Sequence, residues 1–223
     1  MKSLNDQSPG LTGFKRFRKE WIEPILIALI LAGIIRTFII QPFKIPSGSM
    51  EDTLLVGDQL MAVKFLYGMK IPFTNKRILK IRDPKPGDII VFKYPEDPSK
   101  PFIKRCIATG GQKVEIRNKV VYIDGKEQSL PEHAKFIDPK IIPNRLNIPQ
   151  NFRKRDNLQE FIVPDNTFFA MGDNRDNSND SRFWGFVPYK NISGKAFILY
   201  WSWDNNGSLF QKVRWERLFH LIR

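Results

Sequence analysis

The chain of 223 residues contains very few of the side chains that most often bind metals. It has a single cysteine, Cys106, which excludes a disulfide within the chain and a cysteine-based zinc site. Its two histidines, His133 and His220, lie far apart and in no recognisable motif, which argues against a histidine-rich metal site. We therefore expect no metal and no cofactor. A lone thiol does not report the redox compartment.

Acidic residues are also under-represented, because 23 Asp and Glu face 36 Lys and Arg, a formal net charge of +13. The positive excess is spread along the chain and is not confined to a tail. Such a surface attracts nucleic acid or anionic lipid. Because a candidate membrane segment is present, we favour anionic lipid headgroups and expect no nucleic-acid partner.

One long apolar run is present, at residues 21–40 (WIEPILIALILAGIIRTFII). Twenty helical residues span about 30 Å, roughly the thickness of a bilayer core. Glu23 and Arg36 lie near its two ends, from which both side chains can reach headgroups. Two alternatives are a cleaved secretory signal peptide and a buried helix of a soluble protein. The length of the run and the absence of a small-residue cleavage site favour a transmembrane anchor.

The charges around this run predict its orientation. Arg36 and Lys44 lie near its second end, but a denser basic group precedes it, and the positive-inside rule places that group in the cytoplasm. We therefore predict a cytoplasmic segment at 1–20, an anchor at 21–40 and an extracytoplasmic domain at 41–223. The basic group consists of Lys15, Arg16, Arg18 and Lys19.

After the anchor, short β-type runs bounded by turn signals predict an all-β, sandwich- or barrel-like domain, and hence a mostly β fold class. No long helical periodicity follows residue 60, apart from a short C-terminal segment at 213–222. Residues 126–160 are rich in proline and carry a basic cluster, so we interpret them as an inserted cap subdomain; a solvated loop is the alternative. The predicted strands lie at 87–92, 102–107, 113–117, 120–123, 161–163, 167–171 and 196–201.

Three polar stretches are poorly explained by structure alone. The first places Ser47 and Ser49 on either side of one glycine, just after the anchor. A serine becomes a nucleophile only when a base removes its proton, and no histidine is suitably placed. The second stretch offers Lys104, within an apolar strand. A lysine on a strand normally faces solvent, but burial would lower its pKa and make a neutral amine available as a base.

The third stretch, Gly172–Gly185, contains more Asp, Asn, Arg and Ser than an ordinary turn. Asp173, Asp176 and Asp180 could form a calcium-type loop, but the terminal glutamate of an EF-hand is missing and two arginines oppose a cation. We favour Asp–Arg pairs that scaffold a site.

In this order, the three stretches resemble the motifs of the bacterial type I signal peptidase (leader peptidase) family. Pro46–Met50 resembles the nucleophile box, Ile103–Arg105 followed by Gly110-Gly111 resembles the general-base box, and Gly172–Gly185 matches the Gly-Asp-Asn-Arg-Asp-Asn-Ser box almost throughout. These motifs are highly specific to the family. The resemblance covers roughly residues 21–60, 84–125 and 161–201.

The resemblance implies a role for each matched residue. Ser49 is the implied nucleophile, Lys104 the general base, and Ser47 a side-chain donor to the oxyanion beside the Ser49 backbone N–H. Four further residues are implied to support the site: Ser178, whose hydroxyl orients the lysine, and Asp180, Arg182 and Arg105, which form a buttress beneath it.

The implied function is removal of N-terminal signal peptides from exported preproteins by a membrane-bound serine endopeptidase, through an acyl-enzyme. Its expected partners are signal peptides, anionic membrane lipids and the secretion translocon, and its expected location is the bacterial cell membrane. This sequence departs from the family pattern at Asp52 and at residues 109–112, and neither position has a role in the reaction. Two rivals are a self-cleaving Ser-Lys repressor, which would need a DNA-binding helix pair, and a non-enzymatic basic β domain, which leaves the three motifs unexplained.

Overall fold

The computed structural model describes residues 13–70, 77–144, 149–205, 207–208 and 212–222. Its N-terminal helix begins at Gly13, and the stretch Lys15–Ile39 is long and apolar enough to cross a membrane and is not covered by the other described residues. This stretch includes the predicted span 21–40 except its last residue and begins six residues earlier. Its exposure argues against a buried core helix and is compatible with membrane anchoring.

The helix is not uniform along its length. Its segment Glu23–Ile34 is α-helical and lies between two π-helical turns, Arg18–Ile22 and Ile35–Ile39. Pro24 occupies the first turn of the α-helical segment. Proline has no backbone N–H, so the regular hydrogen-bond ladder is interrupted where it enters the helix, and the wider π turn precedes it.

The rest of the chain is mostly β, as the sequence predicts. Two α-helices lie among the strands, at Gln150–Asp156 and Ser181–Trp184. The strands are β1 Ile40–Lys44, β2 Asp58–Val63, β3 Met69–Lys70, β4 Arg77–Ile78, β5 Ile89–Lys93, β6 Pro101–Thr109, β7 Lys113–Arg117, β8 Val120–Ile123, β9 Lys126–Glu127, β10 Leu158–Ile162, β11 Thr167–Met171, β12 Val187–Pro188 and β13 Ile192–Ser202.

These strands form three antiparallel sheets in the described part of the chain. The largest has the order β1-β2-β13-β5-β6-β11-β12, a second has the order β10-β7-β8-β9, and β3 pairs with β4. All seven predicted strands are present within a few residues of their predicted bounds. The sequence reasoning missed β1 and β2, which place the start of the domain at one edge of the large sheet.

The helix passes directly into β1, with no linker between Ile39 and Ile40. Lys64, the residue after β2, stabilises this junction with two hydrogen bonds. Its N–H donates to the carbonyl oxygen of Ile39 at 2.9 Å, and its Nζ donates to the carbonyl oxygen of Arg36 at 3.3 Å. Both carbonyls lie in the last turn of the helix, where carbonyl groups lack a helical N–H partner.

The prediction of a helical C-terminal segment at 213–222 is wrong. Only Trp215–Arg217 forms a 3₁₀ turn. The rest of the segment pairs with β13 through the bridge Ile198–Leu221, and with Trp203, the residue after β13, through the bridge Trp203–Val213. Beyond the turn, the backbone groups of the segment therefore bond mainly to a strand that precedes it in the sequence, and not to one another as in a helix. Within 126–160, β9 extends the small sheet, residues 128–144 contain no helix or strand, and the helix Gln150–Asp156 precedes β10.

Both faces of strand β6 are covered by other parts of the chain, so even the lysine on this strand is buried. Residues 104–108 are all buried, although successive side chains of a strand point to opposite faces. One apolar cluster contains Met50, Leu54 and Ile89, and another contains Cys106, Phe92 and Phe168. Lys104 is therefore largely shielded from solvent, unlike a lysine on a half-exposed strand.

Candidate active site

The structure brings Ser49 and Lys104 together from positions 55 residues apart. The Lys104 Nζ donates to the Ser49 Oγ at 2.7 Å and to the carbonyl oxygen of Ile103 at 3.0 Å. Lys104 is only 4% exposed. A hydroxyl and an amine at this distance can exchange a proton directly.

Burial changes the acidity of the Lys104 amine. Desolvation lowers the pKa of Lys104 from 10.5 to about 8, and Arg182 adds to this effect, while Asp180 and Asp173 oppose it. The neutral amine is therefore available near neutral pH as a minor species, in a far larger fraction than for an exposed lysine.

The turn Gly48–Met50, called the nucleophile turn after the role predicted for Ser49, is held from two sides. Gly48–Met50 forms a 3₁₀ turn whose Met50 and neighbouring Leu54 are fully buried in the core. From the other side, Asn174 donates its N–H to the carbonyl oxygen of Ser49 at 3.1 Å and its Nδ2 to that of Gly48 at 3.2 Å. Sequence reasoning missed Asn174; its place in the third motif was the available signal.

Gly172 allows this close approach. A Cβ at position 172 would lie 2.4 Å from the carbonyl oxygen of Ser49 and 2.2 Å from the Ser178 Oγ. No side chain fits in that space. The glycine that opens the third motif therefore lets the loop after β11 press against the nucleophile turn.

Two buried ion pairs lie under the site. Arg105 donates to both carboxylate oxygens of Asp173, at 2.8 and 2.7 Å, and the Thr53 hydroxyl donates to the same carboxylate at 2.6 Å. Arg105 therefore belongs to its own pair with Asp173. The sequence predicts an Asp–Arg scaffold in the stretch that contains Asp173, but not the partner of this residue. Bidentate arginine–carboxylate contacts fix orientation as well as charge.

The second pair joins Arg182 and Asp180 at 2.8 Å, and both residues are buried. Burial raises the pKa of Asp180, but the charge and hydrogen bonds of Arg182 outweigh it and lower that pKa overall. The Asp180 carboxylate also accepts the N–H of Gly172 at 3.0 Å. This ion pair therefore helps to position Gly172, the glycine in contact with the nucleophile turn.

Ser47 and Ser178 make fewer hydrogen bonds than the residues described above. Ser47 is exposed and extended, with φ −137°, immediately before the 3₁₀ turn. Ser178 is buried against Gly172, and its hydroxyl helps to lower the pKa of Asp180. Within the described residues, no hydrogen bond joins Ser178 to Lys104, so the implied orienting role stays a prediction.

The inserted segment also reaches the site. Lys135 donates its N–H to the carbonyl oxygen of Asp173 and accepts that of Arg175, forming a parallel bridge with the third motif. Its Nζ lies 3.0 Å from the Asp52 carboxylate, just beyond the nucleophile turn. Asp52 has a left-handed φ of 76°, at a position where the resemblance leads one to expect proline.

The calcium-loop alternative is not favoured by these contacts. Each of its three carboxylates pairs with a basic side chain of the protein: Asp173 with Arg105, Asp180 with Arg182, and Asp176 with Lys119. No group of three or more His, Cys, Asp or Glu arranged to hold a metal occurs among the described residues.

A serine hydroxyl in contact with a buried amine, on a mostly β scaffold, is an arrangement that suits a serine hydrolase. Comparisons with known proteins lead to the same class. The family model for "Signal peptidase, peptidase S26" matches residues 18–201. The chain belongs to this signal peptidase family and is a serine peptidase, as its motifs predict.

Relatives from distant bacteria are similar over most of the chain. Signal peptidase I of Pseudomonas fluorescens is 35% identical, over 81% of this chain and 74% of that protein. Signal peptidase I of Aquifex aeolicus is 36% identical, over 83% and 84%. The probable signal peptidase I-1 of a Synechocystis strain is 39% identical, over 91% and 88%. A crystal structure of a signal peptidase I from Enterococcus faecalis is 29% identical, over 51% of this chain and 97% of that one, with a TM-score of 0.37.

Proposed function

We propose that the protein is a membrane-bound endopeptidase that removes signal peptides from exported preproteins by a Ser49–Lys104 dyad. The observation that supports it most directly is the 2.7 Å contact between the Ser49 Oγ and a lysine amine shielded from solvent. The names of the relatives support the choice of substrate.

The proposed mechanism has two stages. Neutral Lys104 takes the proton of the Ser49 Oγ, which attacks the carbonyl carbon of the last signal-peptide residue. The protonated Lys104 then gives this proton to the leaving amine, which is the new N-terminus of the mature protein, and an ester to Ser49 remains. Lys104 next takes a proton from a water molecule that attacks the ester carbonyl, and it gives this proton to the Ser49 Oγ as the signal peptide leaves with a free carboxyl group, which restores both residues.

The direct test uses a preprotein labelled at both ends and full-length protein in non-ionic detergent. We expect cleavage at one bond after the signal peptide, and acid-quenched samples should contain protein heavier by the mass of the signal peptide less one water, as expected for an ester to Ser49. The Ser49→Ala protein is the baseline, and Ser99→Ala, at an exposed turn serine, is the matched control. Equal cleavage by the Ser49→Ala and wild-type proteins would refute the proposal.

The pH dependence follows from the lowered pKa of Lys104, which is about 8. Because the base must be neutral, kcat/KM should rise as the pH increases through this pKa and then level off. At pH 7 only about a tenth of Lys104 is neutral by this pKa. A stopped assay between pH 6 and 10 checks this expectation, and maximal activity in mild acid would contradict a lysine base.

Ser47 is proposed to share stabilisation of the oxyanion with the backbone N–H of Ser49. Replacing Ser47 by alanine should lower kcat by about 10²–10³-fold with little change in KM, because the hydroxyl acts mainly on the charge that develops in the transition state. Steady-state kinetics on a peptide substrate measure both constants. An unchanged kcat would remove Ser47 from the proposed site.

The Lys15–Ile39 helix is proposed as a single-pass anchor in the bacterial cell membrane, with residues 41–223 on the extracytoplasmic side. The basic residues before it support this orientation, and the net charge of +13 supports contact with anionic lipids. The secretion translocon is a further proposed partner, because it delivers the same preproteins.

The native thiol simplifies a test of this orientation, because Cys106 is fully buried. In spheroplasts, a membrane-impermeant maleimide should label the S99C protein and leave the S3C protein unlabelled until the membrane is opened. The reverse pattern would place the domain in the cytoplasm.

A further inference from the structure

A cavity of about 690 Å³ lies beside the Arg105–Asp173 ion pair, between strands β6 and β8 and residues 128–141 of the inserted segment. Its volume is within the range of about 300–1,000 Å³ that is usual for small-molecule sites. Many of its walls are apolar, including Ile107, Val121 and Phe136.

One side chain of this cavity has an unbalanced charge. Arg175 lines the cavity and is only 3% exposed, yet its buried Nε has no hydrogen-bond partner and its guanidinium forms no salt bridge with the described residues. Burial lowers the pKa of Arg175 to about 10, which still leaves it charged at neutral pH. A buried charge is normally paired, because the loss of its hydration is costly.

The other charges around the cavity do not supply this partner. Arg105 is paired with Asp173, and Lys119 with Asp176. Of the two acidic residues that line the cavity, Asp138 is bound to Arg155, and Glu127 is exposed. Asp173 and Asp180 are near enough to raise the pKa of Arg175, but each is held by another arginine.

We propose that this cavity binds a small molecule with one carboxylate or phosphate group on an apolar body. The anion would pair with the Arg175 guanidinium, whose planar donors suit two acceptor oxygens. The apolar body would occupy the space beside Ile107, Val121 and Phe136.

This site is distinct from the dyad. Neither Ser49 nor Lys104 lines the cavity, although Arg105, the residue after Lys104 in β6, does. The proposal therefore concerns a ligand other than the peptide substrate, and it holds whether or not signal peptides are cleaved.

Isothermal titration calorimetry on the full chain in non-ionic detergent tests the proposal, with each probe also titrated into detergent alone. The probes are 4-phenylbutyrate, phenyl phosphate, the neutral 4-phenylbutyramide and inorganic phosphate. We expect at least one of the two aromatic anions to bind. The amide and inorganic phosphate should each bind at least about tenfold more weakly, since each lacks one of the two proposed contacts.

Arg175→Gln should weaken binding of that aromatic anion at least about tenfold, as expected for loss of a charge-assisted hydrogen bond. Lys100→Gln, which removes an exposed charge elsewhere, should bind like the wild type. The proposal is overturned if neither aromatic anion binds, if the amide binds as tightly as the acid, or if folded Arg175→Gln protein binds like the wild type. The acid–amide comparison uses wild-type protein, so it decides the matter even where the variant does not fold.

Discussion

Replacing Lys104 by methionine is expected to reduce kcat/KM for preprotein cleavage by on the order of 10⁴-fold or more. Methionine has a similar length but cannot take the proton of Ser49, and loss of one member of a nucleophile–base pair removes most of its catalysis. Ser49→Ala should cost as much, and the double variant little more, because the two residues act as a unit. The matched control is Lys113→Met, at a strand lysine that is exposed.

The same substitution should make the folded state more stable at pH 7. The pKa of Lys104 falls from 10.5 to about 8 on folding, so the folded state binds fewer protons than the unfolded chain between these values. The penalty for a buried charged amine is therefore complete below pH 8 and disappears as the pH approaches 10.5. Methionine does not incur this penalty.

Thermal unfolding of Lys104→Met and wild-type protein from pH 7 to 10 measures this difference. The variant should be the more stable at pH 7, by roughly 1–3 kcal/mol, and the gap should narrow with rising pH. This result would separate loss of catalysis from loss of fold. A variant that is inactive and less stable at pH 7 would mean that Lys104 is structural.

Gly172→Ala is expected to have the second largest effect. The added Cβ would lie 2.4 Å from the carbonyl oxygen of Ser49, so the nucleophile turn must move. That turn is also held by Asn174 and by the buried Met50, so moving it would break a hydrogen bond or disturb the packing of the core. A displacement of about 1 Å at a reacting group can cost 10²-fold in rate, and overpacking of a buried site costs about 1–3 kcal/mol.

Kinetics and thermal unfolding of Gly172→Ala should therefore both change, with kcat lowered at least about 10²-fold. Gly33→Ala is the matched control, because nothing lies within 4 Å of its added Cβ. Ser178→Gly in the same chain would relieve the clash with the Ser178 hydroxyl but not the one with Ser49. Full recovery in that double variant would show that the contact with Ser49 is unimportant.

The fold class could be predicted because the strands β5 to β8, β11 and β13 contain short apolar runs bounded by turns. Strands β1 and β2 lacked this signal, since β1 contains Pro42 and follows a helix directly, and β2 begins with the polar pair Asp58-Gln59. The C-terminal segment has apolar residues at helical spacing, but its backbone groups pair with β13. Local patterns do not reveal such distant partners.

The motifs of the candidate site and several supporting residues were predictable from the sequence, but the burial of Lys104 and the partner of Arg105 were not. The motifs suggest that Ser49 and Lys104 meet, but the burial of Lys104 depends on both faces of β6 being covered, which is a property of the tertiary structure. The pairing of Arg105 with Asp173 spans 68 residues and has no local signature. The role of Gly172 depends on a contact with a turn 123 positions earlier.

The direct passage of the N-terminal helix into β1 has a consequence for where in space the reaction takes place. Ser49 follows the last helical residue, Ile39, by only ten positions, and the first of these are paired in the sheet. On the proposed anchoring, this short connection sets the height of the nucleophile above the bilayer, at most about 35 Å for a fully extended chain. The enzyme would then select a peptide bond partly by its distance from the membrane surface, because Ser49 and the membrane-tethered substrate must meet at the same distance from the bilayer.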